Sequence, residues 1–404
     1  MGLWSSLSMS SLWRQLAIAT NWPMLVAVAV LSSLGWLSIL ARSQADSQRQ
    51  LAYIAVGAGC MFVMQVVNYQ HIGRYAWGFY LLSLLLLIYT IAPGMPAGGF
   101  LGVVEVHKAR LWINFGFINL QPAELTKVAF CMVLARYLRF RSNYRTLWGL
   151  LPPFGLALVP LFLILKQPDL GTALVFVPTL FAMLFVAGAK IRHLLAVVAM
   201  ALMLAPIAWF AGPKDKTGLG FEFPVLKHLP VLVKPYQRDR VYALFSSDLV
   251  VLQKTGFQQE RAMIAFGAGG VSGRGALRIP VGRTVPEAHN DMIFALVGEQ
   301  FGFIGSAVLL ASYLVLFASG IEIASGTREP FGRLVAVGTV SLLAGQTFLN
   351  LMVSLKLMPV TGITLPFVSY GGSSLLASFI AVGLLLNIGR HRPLVMAKDS
   401  FEFD

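Results

Sequence analysis

The chain has 404 residues, of which 57% are hydrophobic and only 12% are charged, and its formal net charge is +14. Soluble domains carry about 25% charged residues, so this composition excludes an ordinary soluble protein and is typical of a polytopic membrane protein. Backbone groups in lipid must form hydrogen bonds within their own segment, and no period-two alternation typical of strands is present. The sequence therefore predicts an all-α fold.

Windows of about 20 apolar residues predict ten transmembrane helices. They are 22–41, 50–69, 75–93, 121–138, 147–165, 170–188, 193–211, 291–318, 333–355 and 366–388. This divides the chain into an N-terminal segment 1–21, a membrane domain 22–389 and a C-terminal tail 390–404. Within the membrane domain, the large loop 212–290 precedes the eighth span.

The distribution of Lys and Arg predicts the orientation. The side of the termini carries 13 of these residues in its short loops and the other side carries 6, so both termini are expected in the cytoplasm. The loop 212–290 then lies on the side of the membrane away from the cytoplasm. Its basic residues suit an anionic substrate or a lipid headgroup, whereas nucleic acid does not fit a loop that faces away from the cytoplasm. Two apolar stretches in it, 221–232 and 241–252, predict short helices on the membrane surface.

The first polar candidates lie before and within the fourth span. Arg110 stands two residues before Trp112, so it is either an interfacial anchor or a bidentate phosphate ligand. Glu124 and Lys127 follow Pro122, which favours the first helical position, and their spacing of three places both side chains on one helix face. The pair either fixes helix packing or forms one wall of a polar cavity, since ionisable groups inside a membrane are functional hypotheses by default.

Three further features are Asp169, the glycine cluster 267–275 and the segment 359–374. Asp169 precedes the sixth span, so it is either a helix N-cap or a contact to substrate. The glycine cluster 267–275 is either a flexible turn or a backbone nest for phosphate oxygens. Paired prolines and glycines in segment 359–374 break regular helix at the last span, and such backbone is tolerated at membrane depth only where it is buried or lines a wet cavity.

Asp291 is the first candidate for chemistry, because it places a carboxylate directly before the apolar run of the eighth span. The competing interpretation is a helix cap supplied by Asn290 or by Asp291 itself. His289 either tunes Asp291, contacts substrate or has a structural role. All these candidates come from distant parts of the sequence but are predicted at the outer ends of helices, so a polar cavity open to the outside is the simplest packing.

Eight motifs between residues 109 and 374 carry a family resemblance. They are Ala109-Arg-x-Trp-Ile113, Gln121-Pro-x-Glu-x-x-Lys127, Gln167-Pro-Asp-Leu-Gly-Thr172, Tyr236-Gln-x-x-Arg240, Gly256-Phe-Gln258, Gly269-Gly-x-x-Gly-x-Gly275, Pro286-Glu-x-His-x-Asp-x-Ile-Phe-Ala295 and Pro359-x-Thr-Gly-x-x-Leu-Pro-x-x-Ser-Tyr-Gly-Gly-Ser-Ser374. Together they resemble the SEDS proteins (shape, elongation, division and sporulation), the RodA and FtsW group of peptidoglycan glycosyltransferases.

The resemblance implies a polymerase of lipid II, the disaccharide-pentapeptide on undecaprenyl pyrophosphate. Asp291 would act as general base, and the substrate-binding residues would be Arg110, Glu124, Lys127, Asp169, Arg240, Gln258, His289 and Ser373. The sequence requires no cofactor; cationic side chains or a divalent cation such as Mg²⁺ or Mn²⁺ would stabilise the leaving pyrophosphate.

The resemblance also implies a partner and a role in the cell. The partner is a class B penicillin-binding protein that crosslinks the new strand, and the short tails favour a role in cell elongation and shape. The alternatives are an FtsW-like division polymerase, a flippase for the lipid-linked precursor, and a non-catalytic scaffold.

Overall fold

A computed structural model of the protein describes residues 21–93, 99–106, 109–116, 118–141, 143–211, 233–245 and 256–391. The predicted surface helix 221–232 and most of the second one, 241–252, lie outside the described residues. The same holds for nearly all of the terminal segments 1–21 and 390–404.

The described residues form thirteen α-helices. They are α1 Trp22–Leu40, α2 Gln44–Val66, α3 Tyr69–Arg74, α4 Ala76–Ile91, α5 Pro122–Arg139, α6 Leu151–Lys166, α7 Leu170–Ala187, α8 Ile191–Phe210, α9 Pro235–Phe245, α10 Phe257–Ala268, α11 Ile293–Gly326, α12 Pro330–Ser354 and α13 Gly372–His391. Every predicted span overlaps one long helix of this set.

Eight helices among the described residues are long and apolar enough to cross a membrane, which confirms a helical polytopic membrane protein. Two predicted spans fall short of these criteria. Helix α4 is apolar but has 16 residues, whereas α6 reaches 19 residues with the 3-10 turn Trp148–Leu150 before it. Helix α5 contains four charged residues within 18 residues, namely Glu124, Lys127, Arg136 and Arg139. The count of ten spans therefore stays a prediction.

A small antiparallel sheet joins α4 to α5, where the sequence analysis predicted no strand. Its strands are β1 Val103–Val106, β2 Ala109–Asn114 and β3 Asn119–Leu120, in the order β1-β2-β3. The sequence of β2, Ala-Arg-Leu-Trp-Ile-Asn, does not alternate strictly between apolar and polar residues, and only Ile113 of it is buried. Pairing across the sheet supplies the hydrogen bonds that this irregular connection would otherwise lack.

Two local predictions of helix starts are confirmed. Pro122 stands at the beginning of α5. Asp169 is the N-cap of α7, where its Oδ1 atom accepts a hydrogen bond from the backbone N–H of Thr172 at 3.0 Å.

Helix α11 differs from the continuous span that the apolar pattern predicted. It is interrupted at Gly302, which has φ 64° and ψ −157°. Residues 293–300, before the break, are all buried, whereas Phe303 and Ile304 just after it are 67% and 56% exposed. The first segment of α11 therefore packs within the protein, and its lipid-facing surface begins only beyond the break.

The glycine cluster packs directly into this break. The N–H groups of Phe303 and Ile304 donate hydrogen bonds to the carbonyls of Gly270 (2.9 Å) and Val271 (3.1 Å). A broken helix leaves backbone groups without partners inside its own segment. The glycine cluster supplies those partners to the second half of α11.

The same cluster also donates hydrogen bonds to the last carbonyl groups in the first half of α11. The N–H of Arg274 donates to the carbonyl of Glu299 at 2.9 Å, and that of Gly275 donates to Gln300 at 3.1 Å. Gly273 has φ 81°, and a Cβ atom there would lie 2.1 Å from the Gln300 carbonyl oxygen. The cluster thus forms hydrogen bonds with both halves of α11, and both of its predicted interpretations, the flexible turn and the phosphate nest, stay predictions.

Loops from distant parts of the sequence meet at one end of the bundle, which we call the site end. Three hydrogen bonds that join them run from Arg42 to the Val285 carbonyl, from Gln50 to the Ser369 carbonyl and from the Gln121 N–H to Ser373 Oγ. Gln121 Nε2 also donates to Asp169 Oδ2 at 3.1 Å, which adds the loop after α6. The loops after α1, α4, α6 and α12 and the segment before α11 thus meet at the site end, while the predicted polar cavity open to the outside stays a prediction.

We expect Gly273→Ala to destabilise the protein, because the new Cβ would collide with the Gln300 carbonyl in a backbone conformation that disfavours alanine. A loss of about 2 kcal/mol, with a lower midpoint of thermal unfolding in detergent, is the expected result. Gly267→Ala is the matched control, since a Cβ there meets nothing within 4 Å. Equal midpoints for the two variants would contradict the packing role.

Candidate functional site

Asp291 does not cap helix α11. The helix begins at Ile293, and its N-cap residue, Met292, makes no side-chain capping hydrogen bond. The Asn290 side chain instead donates to Glu287 Oε2 at 2.7 Å. The capping interpretation is therefore wrong for both residues, and the Asp291 carboxylate is not committed to the helix end.

The backbone around Asp291 is held by the segment before α13. Asn350 Nδ2, on α12, donates to the carbonyls of both Asp291 (2.9 Å) and Ile363 (2.6 Å). The Ser369 hydroxyl donates to the carbonyl of Asn290. These bonds join two irregular segments into one scaffold and fix the position of the acid.

The Asp291 carboxylate is half-buried and lies beside Gly362, where a Cβ would be 3.9 Å from Oδ2. Burial and, to a smaller extent, the negative charges of Glu287 and Asp169 raise the pKa of Asp291 to about 7, while Arg240 opposes the shift. A carboxyl group with this pKa exchanges its proton close to neutral pH, which suits a general base.

Asp169 is a second acid of the same region, and its oxygens are already hydrogen-bonded. Oδ2 accepts from the Thr172 hydroxyl at 2.8 Å and from Gln121 Nε2 at 3.1 Å. Burial raises the pKa of Asp169 as well, although the bonds from Thr172 oppose this shift. Its capping and bridging bonds give it a structural role beside Asp291, and its predicted contact to substrate stays a prediction.

Glu124 and Lys127 form the predicted ion pair. Lys127 Nζ lies 3.0 Å from Glu124 Oε2, and both side chains are buried. The same Nζ donates to Gln346 Oε1 at 2.7 Å. Gln346 in turn donates to the Thr364 carbonyl at 3.0 Å, so the ion pair is connected to the irregular segment that faces Asp291.

The predicted residues Arg240 and Gln258 contact the backbone on the two sides of the acid. Arg240 Nη1 donates to the Val360 carbonyl at 2.8 Å. Gln258 Nε2 donates to the Pro286 carbonyl at 3.3 Å. The structure therefore brings both residues to the Asp291 region.

His289 lies beside Tyr370, with 5.5 Å between the ring centroids, and its carbonyl accepts the Tyr370 N–H at 2.8 Å. Burial lowers the pKa of His289, and the positive charge of Arg42 lowers it further. Both effects favour the neutral form of the imidazole, although the negative charges of Glu287 and Asp46 oppose the shift.

Ser373 and Arg110 lie toward the small sheet. The Ser373 hydroxyl accepts from the Gln121 N–H at 2.9 Å and donates to the Asn119 carbonyl, so it joins α13 to the start of α5. Arg110, on β2, donates from Nη1 to the Ala92 carbonyl at 3.3 Å. Both substrate-binding assignments stay predictions, and the contacts of Ser373 support a structural role.

The sequence analysis missed Gln346 and Asn350. Both are buried in α12, and they stand four residues apart, which places them on one helix face. That spacing of two amide side chains within a predicted apolar span was a usable signal. Within the described ranges, no group of three or more His, Cys, Asp or Glu residues could hold a metal ion.

The helical membrane architecture and the acid at the end of the bundle define a class, a polytopic membrane protein with a polar site at one end. A family model described as "cell cycle protein", for the FtsW, RodA and SpoVE proteins, matches residues 9–393. The chain therefore belongs to this family, the SEDS proteins.

Curated relatives match along most of their own length. The probable peptidoglycan glycosyltransferase FtsW of Geobacter sulfurreducens is 36% identical, and the match covers 84% of each chain. Stage V sporulation protein E of Bacillus subtilis is 34% identical over 85% of this chain and 87% of the relative. The peptidoglycan glycosyltransferase MrdB of Escherichia coli is 30% identical over 92% and 93%.

Solved structures share the fold. A chain of a peptidoglycan synthase complex that coordinates polymerization and crosslinking aligns with a TM-score of 0.76 and 31% identity, covering 93% of this chain and 99% of that chain. The rod shape determining protein RodA of Thermus thermophilus aligns with a TM-score of 0.65 and 28% identity, covering 93% and 98%.

We expect Glu124→Gln to destabilise the protein by about 3 kcal/mol, because it leaves the Lys127 ammonium buried without its anion. Thermal unfolding in detergent measures the loss. The double variant Glu124→Gln/Lys127→Met removes both charges and should recover part of the stability. A single variant as stable as the wild type would show that the ion pair does not hold the packing of α5.

Proposed function

We propose that this protein is a peptidoglycan glycosyltransferase that polymerises lipid II into glycan strands at the outer face of the cytoplasmic membrane. Membership of the SEDS family and the glycosyltransferase names of its relatives support this assignment. The observation that carries the mechanism is Asp291, a half-buried carboxyl group, free of any capping role, whose pKa is raised to about 7.

In the proposed topology all ten predicted spans cross the membrane and both termini are cytoplasmic. The excess of Lys and Arg in the short loops on the side of the termini supports this orientation. The site end then faces outward, where a lipid-linked saccharide is accessible. The described part of the loop before α11 borders this surface through Arg240 and Gln258.

The proposed reaction begins with the acceptor lipid II in the polar site. Asp291 accepts the proton of the GlcNAc 4-hydroxyl, and that oxygen attacks the anomeric carbon of the terminal MurNAc on the growing strand. The bond from this carbon to the lipid pyrophosphate breaks, so the pyrophosphate leaves with inversion. Asp291 then releases the proton to water. A positioned base contributes about 10²–10⁴-fold to the rate.

Negative charge on the departing pyrophosphate requires a cation. Arg240 is the best supported candidate, because its charge acts on Asp291. Lys127 is already paired with Glu124 and bonded to Gln346, so it organises the wall of the site. A divalent cation, Mg²⁺ or Mn²⁺, would supply the same stabilisation as a Lewis acid.

The proposed partner is a class B penicillin-binding protein that crosslinks the nascent strand. The structural likeness to a chain of a complex that coordinates polymerization and crosslinking supports this pairing. The elongation role stays a prediction, and an FtsW-like division role is equally compatible, because relatives named FtsW and MrdB both match along most of the chain.

A lipid-linked precursor flippase is the second candidate. The feature that favours it is the break in α11, since transporters bind substrates at discontinuous helices. Here the glycine cluster bonds to both halves of the helix, so the break is filled by protein. Polymer formation in detergent distinguishes the two functions, because a flippase alone produces only leaflet exchange in liposomes.

We expect Asp291→Asn to abolish polymerisation of labelled lipid II by the protein co-purified with its partner. The amide keeps the size of the side chain but cannot accept the proton, so the unfolding midpoint should stay near that of the wild type. Glu287→Gln, at an exposed acid of the same loop, is the control and should retain activity. Glycan polymer from the asparagine variant would remove Asp291 from the role of base.

The rate should rise with pH through about 7, because the base acts only when Asp291 is deprotonated. The negative charge of Glu287 raises the pKa of Asp291. Glu287→Gln should therefore shift the profile to lower pH without lowering its upper plateau. Initial rates across a pH series measure both profiles, and a shift to higher pH in this variant would contradict the assignment.

A further inference from the structure

A second polar surface lies on the segment between α10 and α11, apart from the contacts around Asp291. Three arginines border an open cavity of about 550 Å³. Its lining residues, which we call the arginine pocket, are Arg274, Leu277, Arg278, Ile279, Pro280 and Arg283. None of them contributes to the polar contacts described above for the carboxylate of Asp291.

The backbone of the arginine pocket is hydrogen-bonded to the first half of α11. The buried Glu299 carboxylate accepts hydrogen bonds from the N–H groups of Val281 (2.9 Å) and Gly282 (2.7 Å). The N–H of Arg283 donates to the carbonyl of Ile279, which is 1% exposed. The arginines therefore extend from a backbone that is anchored to the first half of α11.

The three arginines of the pocket form no ion pair with the part of the chain that the structure describes. Arg274, Arg278 and Arg283 are exposed, and the described ion pairs involve other residues. Arg274 Nε donates to the Ala268 carbonyl at 3.1 Å, a neutral partner. Three guanidinium groups around one cavity, without a described carboxylate among them, favour an anionic ligand.

The neighbouring side chains place the pocket at the boundary of the hydrocarbon. Val271 is 69% exposed and Leu277, in the pocket itself, is 48% exposed. The backbone of Val271 is bonded to Ile304, which begins the exposed apolar surface of α11 together with Phe303. Exposed apolar side chains of this kind face lipid in a membrane protein, and lipid phosphates lie at that boundary.

We propose that the arginine pocket binds the phosphate of an anionic phospholipid in the leaflet at the site end. Guanidinium groups match phosphate oxygens in a bidentate geometry, and the exposed apolar residues contact the upper part of the acyl chains. Ile279 belongs to the same buried cluster as Val285, Ala288 and Met292. A bound lipid therefore stabilises the segment that leads to Asp291.

The test is hydrogen–deuterium exchange of the full-length protein in nanodiscs of matched chain length. Phosphatidylglycerol, compared with phosphatidylcholine, should slow amide exchange about tenfold over residues 270–285. Arg278→Gln/Arg283→Gln should remove this difference. The control Arg328→Gln/Arg333→Gln, with two exposed arginines beyond the other end of α11, should retain it.

Each contrary outcome overturns the proposal. Equal exchange in both lipids for the wild-type protein excludes a site that prefers an anionic phospholipid, and this comparison needs no variant to fold. Full protection by inorganic phosphate in phosphatidylcholine nanodiscs would assign the pocket to a soluble anion. Protection only after addition of the transpeptidase partner would assign it to a protein contact.

Discussion

The Asn350 amide is the contact on which the arrangement of the site depends. It bonds the carbonyls of Asp291 and Ile363, which belong to two segments without regular secondary structure. Irregular backbone at membrane depth must find its partners within the protein, and here a side chain from the neighbouring helix α12 provides them. Gln346, one turn earlier on α12, does the same for the Thr364 carbonyl while it accepts from Lys127. One helix face thus holds both segments and the ion pair.

Two kinds of charged group lie around this scaffold: an ion pair, and an acid whose pKa is raised. Glu124 and Lys127 compensate each other at 3.0 Å. Asp291 has neighbouring carboxylates in Asp169 and Glu287, and the opposing charge of Arg240 does not cancel burial, so the pKa rises to about 7. The Glu124–Lys127 ion pair and the candidate base therefore have different electrostatic roles, although they share one network of hydrogen bonds.

The break at Gly302 divides α11 into a first half that is buried in the protein and a second half that begins with exposed apolar residues. The first half of α11 is surrounded by protein, and the glycine cluster completes its carbonyl hydrogen bonds. In the loop before this short helix, the carbonyls of Asn290 and Asp291 accept hydrogen bonds from Ser369 and Asn350. The same glycine cluster leads into the arginine pocket, so the helix break, the pocket and the acid belong to one packed unit.

The sequence by itself determined the helices, the Asp169 cap, the Glu124–Lys127 pair and the choice of Asp291 as the main candidate. These features depend on local apolar runs or on spacings within one helix turn, and both are visible in the sequence without knowledge of the fold. Only the tertiary structure decided the break in α11, the hydrogen bonds of the glycine cluster to both halves of that helix, the small sheet and the absence of capping by Asp291. Each of these depends on partners that are distant in sequence, as Asn350 is 59 residues from Asp291, and no local pattern specifies which backbone groups will meet.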